Sequence, residues 1–360
     1  MGHADFSFER RLERASTIPS RCYLEAEFLQ LENDKVFGRT WQLVGRADQV
    51  CGPGDYFTAQ VADEPVIVVR GADERLRAFS NVCRHRAGPV AAGHGNRKIF
   101  QCGYHGWTYA LDGRLLGTPD FEGVECFSKA ASCLPEFAVA TLDALVFVNL
   151  DGNSQPLAEM LGDLPARMAG RDLTAMKFAA RKDWLVDCNW KVYVDNYLEG
   201  YHIPIVHPSL HRELDYQNYR VETQGCYSLQ HAPIKQTREA RLRQDEHAGG
   251  EAIYLWLFPN LMLNIYPDNY STNLIIPVGH KQTLTVFEWY FRDPGLVEVQ
   301  AKLRETIAFS DEVQLEDIRI CETVQRNLRS RTYQTGRYSV KRENGVHHFH
   351  QLLSDFLAAS

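Results

Sequence analysis

Residues 81–109 read NVCRHRAGPVAAGHGNRKIFQCGYHGWTY, and this stretch decides the fold. One residue separates Cys83 from His85, two separate Cys102 from His105, and 16 lie between the pairs. Gly88 follows the first pair, and Gly103 and Gly106 surround the second, so two short loops can bring the four side chains together. Two thiolates and two imidazoles suit either one tetrahedral zinc or a [2Fe-2S] cluster with both cysteines on one iron and both histidines on the other. Zinc fingers usually group their cysteines and their histidines separately, whereas each loop here offers one of each. The mixed pairs therefore point to a Rieske-type [2Fe-2S] cluster held by Cys83, His85, Cys102 and His105.

Short β-rich runs flank these loops: PVIVVR (65–70), RLRAFS (75–80), KIFQC (98–102), WTYAL (107–111) and ALVFVNL (144–150). Turn dipeptides such as Pro53-Gly54 and Asp112-Gly113 separate them, which predicts an antiparallel β domain over 41–150. Residues 1–40 are expected to form an N-terminal helical segment packing on the domain formed by 151–360, with a helix over 22–38 ending at Gly38. From 151 to 360 the pattern is mixed. It predicts a helix over 189–201, strands at 252–258, 261–266, 271–277 and 282–291, and a long helix over 295–329. The expected class is α+β: an N-terminal antiparallel β domain ahead of a helix-grip-like domain with an antiparallel sheet and a long C-terminal helix.

With 44% hydrophobic and 24% charged residues, the 360-residue chain is globular in composition. Its formal charge of −7 and lack of a basic block argue against nucleic acid or an anionic membrane as partner. No apolar run reaches the length of a membrane span, and the N-terminus alternates acids and bases without an apolar stretch. Nine scattered cysteines suit thiols or metal ligands better than a disulfide framework, so a reducing, cytoplasmic setting is expected. There is no nucleotide-binding glycine motif.

A second constellation lies in DCNWKVYVDNYLEGYHIPIVHPSL (187–210), which holds Glu199, His202 and His207. His202 falls near the end of the predicted helix, and His207 follows the reversal that Pro204 permits. The carboxylate that would complete a two-His-one-carboxylate iron site is Asp317. It lies on the stripe Leu303, Ile307, Val313, Ile320 or Cys321, and Val324 of the long helix, where a buried carboxylate calls for a cation. Its neighbour Glu316 is expected to face Glu312, Arg319 and solvent.

The paired Cys-His loops with GWTYALDGRL resemble the N-terminal domain of the Rieske non-haem iron oxygenases. SDEVQLEDIRICETVQ, GRYSV and HHFHQLL resemble the catalytic domain of those acting on quaternary ammonium compounds, the group of the choline monooxygenases and the carnitine- and betaine-demethylating enzymes. The resemblance implies a mononuclear Fe(II) held by His202, His207 and Asp317, and electrons from NAD(P)H through a separate reductase. It also implies a homotrimer in which Glu199 bridges His202 to a cluster histidine of the neighbouring subunit, with Glu standing where most ring-hydroxylating members have Asp. Asn196, one turn earlier, is expected to hydrogen-bond near the iron.

Nine of the 38 residues from 254 to 291 are aromatic, against 11% for the chain. Alternation puts Tyr254, Trp256 and Phe258 on one strand face and Phe287, Trp289 and Phe291 on another. They would form either sheet core or an aromatic cage for a trimethylammonium group. A flat aromatic substrate would use them equally well, so ring hydroxylation stands as the alternative, and a Rieske electron carrier without oxygenase activity as a weaker one. A substrate carboxylate would call for Lys235, Arg238 or Arg212. His347, His348 and His350 are expected to be structural or interfacial.

Overall fold

The structure is a computed structural model and describes residues 8–171, 173–235 and 250–359. The chain divides into two compact units, Phe37–Leu157 and a second formed by Met1–Val36 with Ala158–Ser360.

The first unit is built on a seven-stranded antiparallel sheet. Its order is Gln42–Arg46, Leu145–Asn149, Glu136–Leu142, Leu76–Ser80, Glu64–Arg70, Asp55–Val61 and His94–Asn96. The run PVIVVR is buried on both faces, which is why it reads as continuously apolar. Val66 and Val68 pack with Phe57, Val146 and Val148 on one side, while Ile67 and Val69 pack with Phe79 and Tyr56 on the other. Each such side chain removed from water contributes about 1.5–3 kcal/mol. The Ile67 face also receives Phe100, Trp107 and Tyr109, which carry a small three-stranded sheet and the two Cys-His loops.

The second unit contains a seven-stranded antiparallel sheet: β1 (Lys177–Val186), β2 (Arg220–Gln224), β3 (Tyr227–Pro233), β4 (Glu251–Leu257), β5 (Leu261–Ile265), β6 (Asn269–Gly279) and β7 (Gln282–Phe291). Their order is β1-β7-β6-β5-β4-β3-β2, an open meander from β2 to β7 to which β1 adds as the edge strand beside β7. Three helices matter for the site: α1 (Trp190–Tyr197), α2 (Val297–Asn327) and α3 (Asn344–Ala358). Helix α1 starts at Asn189, whose side chain accepts the Lys191 N–H as an N-cap. No helix among the described residues is long and apolar enough to cross a membrane.

Helices α1 and α2 are zipped by polar pairs. The Asn189 N–H donates to Gln325 Oε1 at 2.8 Å, Tyr193 hydrogen-bonds Gln314, and Asn196 Nδ2 donates to Asp317 Oδ1 at 2.6 Å. This corrects the expected apolar stripe in part: Leu303, Ile307, Val313 and Cys321 do face the core, but glutamines share that side of the helix. Along α2 the buried residues are Leu303, Gln314, Cys321 and Gln325, while Val324 is exposed. Facing α1, polar side chains that satisfy one another replace aliphatic ones.

The N-terminal helix also differs from expectation. It is broken into Arg21–Leu24, Ala26–Glu32 and a wide turn over Asn33–Phe37, because Glu25 is extended at φ −92°, ψ 129°. The break aims Glu32 inward. Its carboxylate, 0% exposed, accepts from Lys191 Nζ at 2.6 Å and Trp190 Nε1 at 2.7 Å, tying this segment to α1.

Candidate active site and metal centres

In the first unit, Cys83 and Cys102 are buried at 3% and 2% exposure, while His105 is exposed and His85 partly so. The two imidazoles face each other through Nδ1, 3.1 Å apart. Trp107 lies parallel to His85 at a ring separation of 4.9 Å and 10°, and Tyr104 covers His105 at 3.7 Å. The loops touch at Gly88, where a Cβ would come within 3.0 Å of Cys102 Sγ and Tyr104 Cβ. Gly106, at φ +74°, makes the second loop's turn in the left-handed region. Burial pushes the Cys83 thiol pKa up. Two inward sulfurs opposite two outward nitrogens fit a cluster with unlike ends: thiolates on the buried iron and imidazoles on the surface iron.

In the second unit, α1 and the short helices after it set the other constellation. The Glu199 carboxylate accepts the Tyr201 and His202 backbone N–H groups, the latter at 3.0 Å, and meets His202 Nδ1 at 2.6 Å. Glu199 thus caps the turn that carries His202 and also orients its ring. His207, 1% exposed, follows Ile203–Val206 and begins the helix Pro208–Glu213. From α2, Asp317 Oδ1 lies 3.0 Å from His207 Nε2 and 4.0 Å from His202 Nε2.

Donor atoms of His202, His207 and Asp317 all lie within 4.8 Å of one another. Neighbouring ligands about 2.1 Å from one ion stand roughly 3 Å apart, so this donor set can close on a single metal. Two imidazoles and one carboxylate leave positions open on a ferrous ion, the arrangement suited to O2. Without a metal, burial lowers the His207 pKa, but Asp317 and Glu316 more than offset it, and the net shift is upward.

Glu316 does not face solvent as expected. Its Oε2 lies 2.7 Å from His207 Nδ1, and the side chain is 23% exposed. Sequence spacing missed this because consecutive helical residues diverge by about 100°, yet both can reach the two edges of one ring lying between them.

A cavity of about 610 Å³ opens over the donors. Its floor is one face of the sheet, where alternation brings Gln230, Tyr254, Asn264, Ser271, Phe287 and Trp289 together, and α2 provides a wall with Glu305, Phe309 and Glu312. Only part of the expected aromatic set lines it. Trp256 and Phe258 pack against Phe349 of α3, and Phe291 joins Leu303 in the core. Lys235 donates to the His211 carbonyl and exposed Arg212 to Ser209, and neither lines the cavity; Arg238 lies outside the described residues. The one cationic side chain among the described lining residues is Lys302, ion-paired with Asp268. Of the tail histidines, His350 is fully buried between Tyr338 Oη at 2.6 Å and Asp195 Oδ1 at 2.9 Å.

A family model for the ring hydroxylating alpha subunit catalytic domain matches residues 173–359, and one for the Rieske [2Fe-2S] domain matches 40–128. The chain belongs to the ring-hydroxylating α-subunit family, the Rieske non-haem iron oxygenases. Among its relatives are chloroplastic choline monooxygenase of Arabidopsis thaliana, 36% identical over 95% of this chain and 83% of that one, and the carnitine monooxygenase oxygenase subunit of Escherichia coli K12, 32% identical over 95% and 94%. A solved quaternary ammonium Rieske monooxygenase, reported for carnitine oxidation and inter-subunit electron transfer, superposes with a TM-score of 0.85 at 29% identity, covering 95% of each chain.

Proposed function

We propose that the chain is the oxygenase component of a system that hydroxylates a C–H bond close to the nitrogen of a quaternary ammonium compound, either on a carbon bonded to that nitrogen or on the one beyond it. The observation that carries this is the cavity beside His202, His207 and Asp317. It offers aromatic faces at Tyr254, Phe287 and Trp289 and carboxylates at Glu305 and Glu312, while Lys302 is neutralised by Asp268. A quaternary ammonium cannot donate an N–H hydrogen bond, so π faces and nearby negative charge are what can hold it, at about 0.5–2 kcal/mol per ring. The resemblance to choline and carnitine monooxygenases supports the same class.

On this reading Cys83 and Cys102 hold one cluster iron, His85 and His105 the other, and His202, His207 and Asp317 hold mononuclear iron. When bound, these groups supply one-electron transfer and O2 activation, with electrons drawn from NAD(P)H through a separate reductase. The chain's own side chains position. Asn196 fixes the Asp317 carboxylate through its Nδ2–H, Glu199 fixes His202, and the aromatic faces hold the cation with its N-substituents toward the metal donors. Hydroxylation of the carbinol carbon of choline, one carbon removed from nitrogen, would yield an aldehyde hydrate; hydroxylation of an N-methyl carbon of carnitine or a betaine would yield a carbinolammonium that loses formaldehyde and leaves the tertiary amine.

Glu199 is 12% exposed and is flanked by exposed Tyr201 and by Ile205, exposed at 84%. Two exposed apolar side chains beside a metal ligand suit a contact with a neighbouring subunit, and the resemblance to the Rieske oxygenases makes that assembly a homotrimer in which Glu199 reaches the neighbour's cluster histidine.

Iron and acid-labile sulfide analysis of wild type and Asp317→Ala, loaded anaerobically with Fe(II), tests the centres. Three irons and two sulfides per chain, falling to two irons in the variant with an intact Rieske spectrum, are expected. O2 uptake with a reductase should then be driven by choline, carnitine or a betaine. Uptake driven by naphthalene and by none of these would overturn the substrate class.

A further inference from the structure

Both imidazoles of the triad carry a carboxylate on Nδ1, but the two carboxylates have different origins. Glu199 belongs to the same turn as His202, three residues before it, at 2.6 Å. Glu316 comes from α2, next to Asp317, and crosses to His207 at 2.7 Å. We propose that Glu316 is a positioning residue of the metal centre: it fixes the tautomer and ring plane of His207 so that Nε2 is presented to the metal. This rests on the reading that His202, His207 and Asp317 hold a metal.

A neutral imidazole has one N–H. With Nδ1–H donated to Glu316, the Nε2 atom carries the lone pair, and that atom lies 3.0 Å from Asp317 Oδ1. A nitrogen lone pair facing a carboxylate oxygen at that distance is repulsive unless a proton or a metal ion lies between them, and a metal that binds there takes the place of the proton. Glu316 therefore sets up an arrangement that a metal completes. With Glu316 in place the His207 side chain is only 2% exposed, so its Nδ1–H is held by this carboxylate and not by bulk water. Since Glu316 and Asp317 are consecutive on α2, one stretch of helix grips both edges of the same ring, so ligand and support move together. His202 has a looser setting, with its side chain 17% exposed and its Nε2 4.0 Å from Asp317.

Outer carboxylates of this kind typically change metal affinity 10- to 100-fold. The test is anaerobic Co(II) titration of protein that retains its [2Fe-2S] cluster but has been stripped of mononuclear metal. Binding is read by chelator competition and by Co(II) paramagnetic resonance with the cluster oxidised and silent. Glu316→Ala should bind Co(II) about 10- to 100-fold more weakly, with an altered resonance and an unchanged melting temperature before metal is added. Glu316→Gln, whose amide oxygen can still accept the Nδ1–H, should recover most of the affinity and the wild-type resonance.

Affinity and resonance unchanged in Glu316→Ala would overturn the inference, as would Glu316→Gln behaving like Glu316→Ala. A lower melting temperature of metal-free Glu316→Ala with wild-type affinity would also overturn it, marking Glu316 as a packing residue. Failure of the wild type to take up one Co(II) that Asp317→Ala loses would instead remove the metal-site reading on which the inference stands.

Discussion

The Tyr109 hydroxyl lies 3.3 Å from Cys83 Sγ and accepts the Arg84 N–H at 3.0 Å. With its oxygen occupied by that donor, its own hydrogen is free to point at the sulfur. A hydrogen bond to a cluster thiolate favours the reduced cluster, which carries one more negative charge. At about 1–1.5 kcal/mol for such a bond, Tyr109→Phe should lower the cluster midpoint potential by about 40–60 mV, since a one-electron couple shifts about 59 mV per tenfold change in equilibrium constant. Redox titration followed by paramagnetic resonance reads this directly, and an unchanged potential would show that the hydroxyl does not reach the sulfur. Gly88 is decisive for a steric reason: in Gly88→Val the added carbons meet Cys102 Sγ and Tyr104, and the purified variant should contain little or no acid-labile sulfide.

Helix α1 depends on a buried pair for its place. Lys191 and Glu32 are both 0% exposed and 2.6 Å apart, and Glu32 also takes the Trp190 N–H. Removing one member leaves the other buried and uncompensated, so Glu32→Ala should lower unfolding stability by about 3–5 kcal/mol, measured by denaturant titration. Replacing both by apolar residues should cost much less. Helix α3 sets a dependence on pH. Burial of His348 holds its pKa below the ordinary imidazole value. The unfolded chain therefore binds the proton more readily, and stability falls as pH drops through and below about 6.5. His348→Gln should lose less stability than wild type between pH 7.5 and 5.5. Equal losses in the two proteins would assign the acid sensitivity to other groups.

For the whole molecule, the trimer proposal makes a prediction that individual chains cannot satisfy. Mixed trimers of a cluster-deficient chain, Cys102→Ala, and an iron-deficient chain, Asp317→Ala, should recover part of the activity that neither has alone. A cluster in one subunit would then serve the iron of its neighbour. Mixed trimers as inactive as the parents would mean that electrons stay within one chain. Ile205→Asp places a charge in the apolar patch beside Glu199, and light scattering should show the mass falling from three chains to one.

The sequence alone carried the two Cys-His pairs, the α+β order, the strands around 252–291 and the pairing of His202 and His207 with Asp317. These are local signals: spacing within a loop, alternation along a strand, and a carboxylate on the inward side of a helix. The amphipathic pattern of α3 is equally legible in Val346, Phe349, Leu353 and Leu357. What the tertiary structure decided concerns partners distant in the chain. Glu316 reaches His207 and Glu32 reaches Lys191 across more than a hundred residues, and Phe349 withdraws Trp256 and Phe258 from the cavity that Phe287 and Trp289 keep. Periodicity tells which side of an element is buried, but the groups waiting there are set by the packing of elements far apart in sequence.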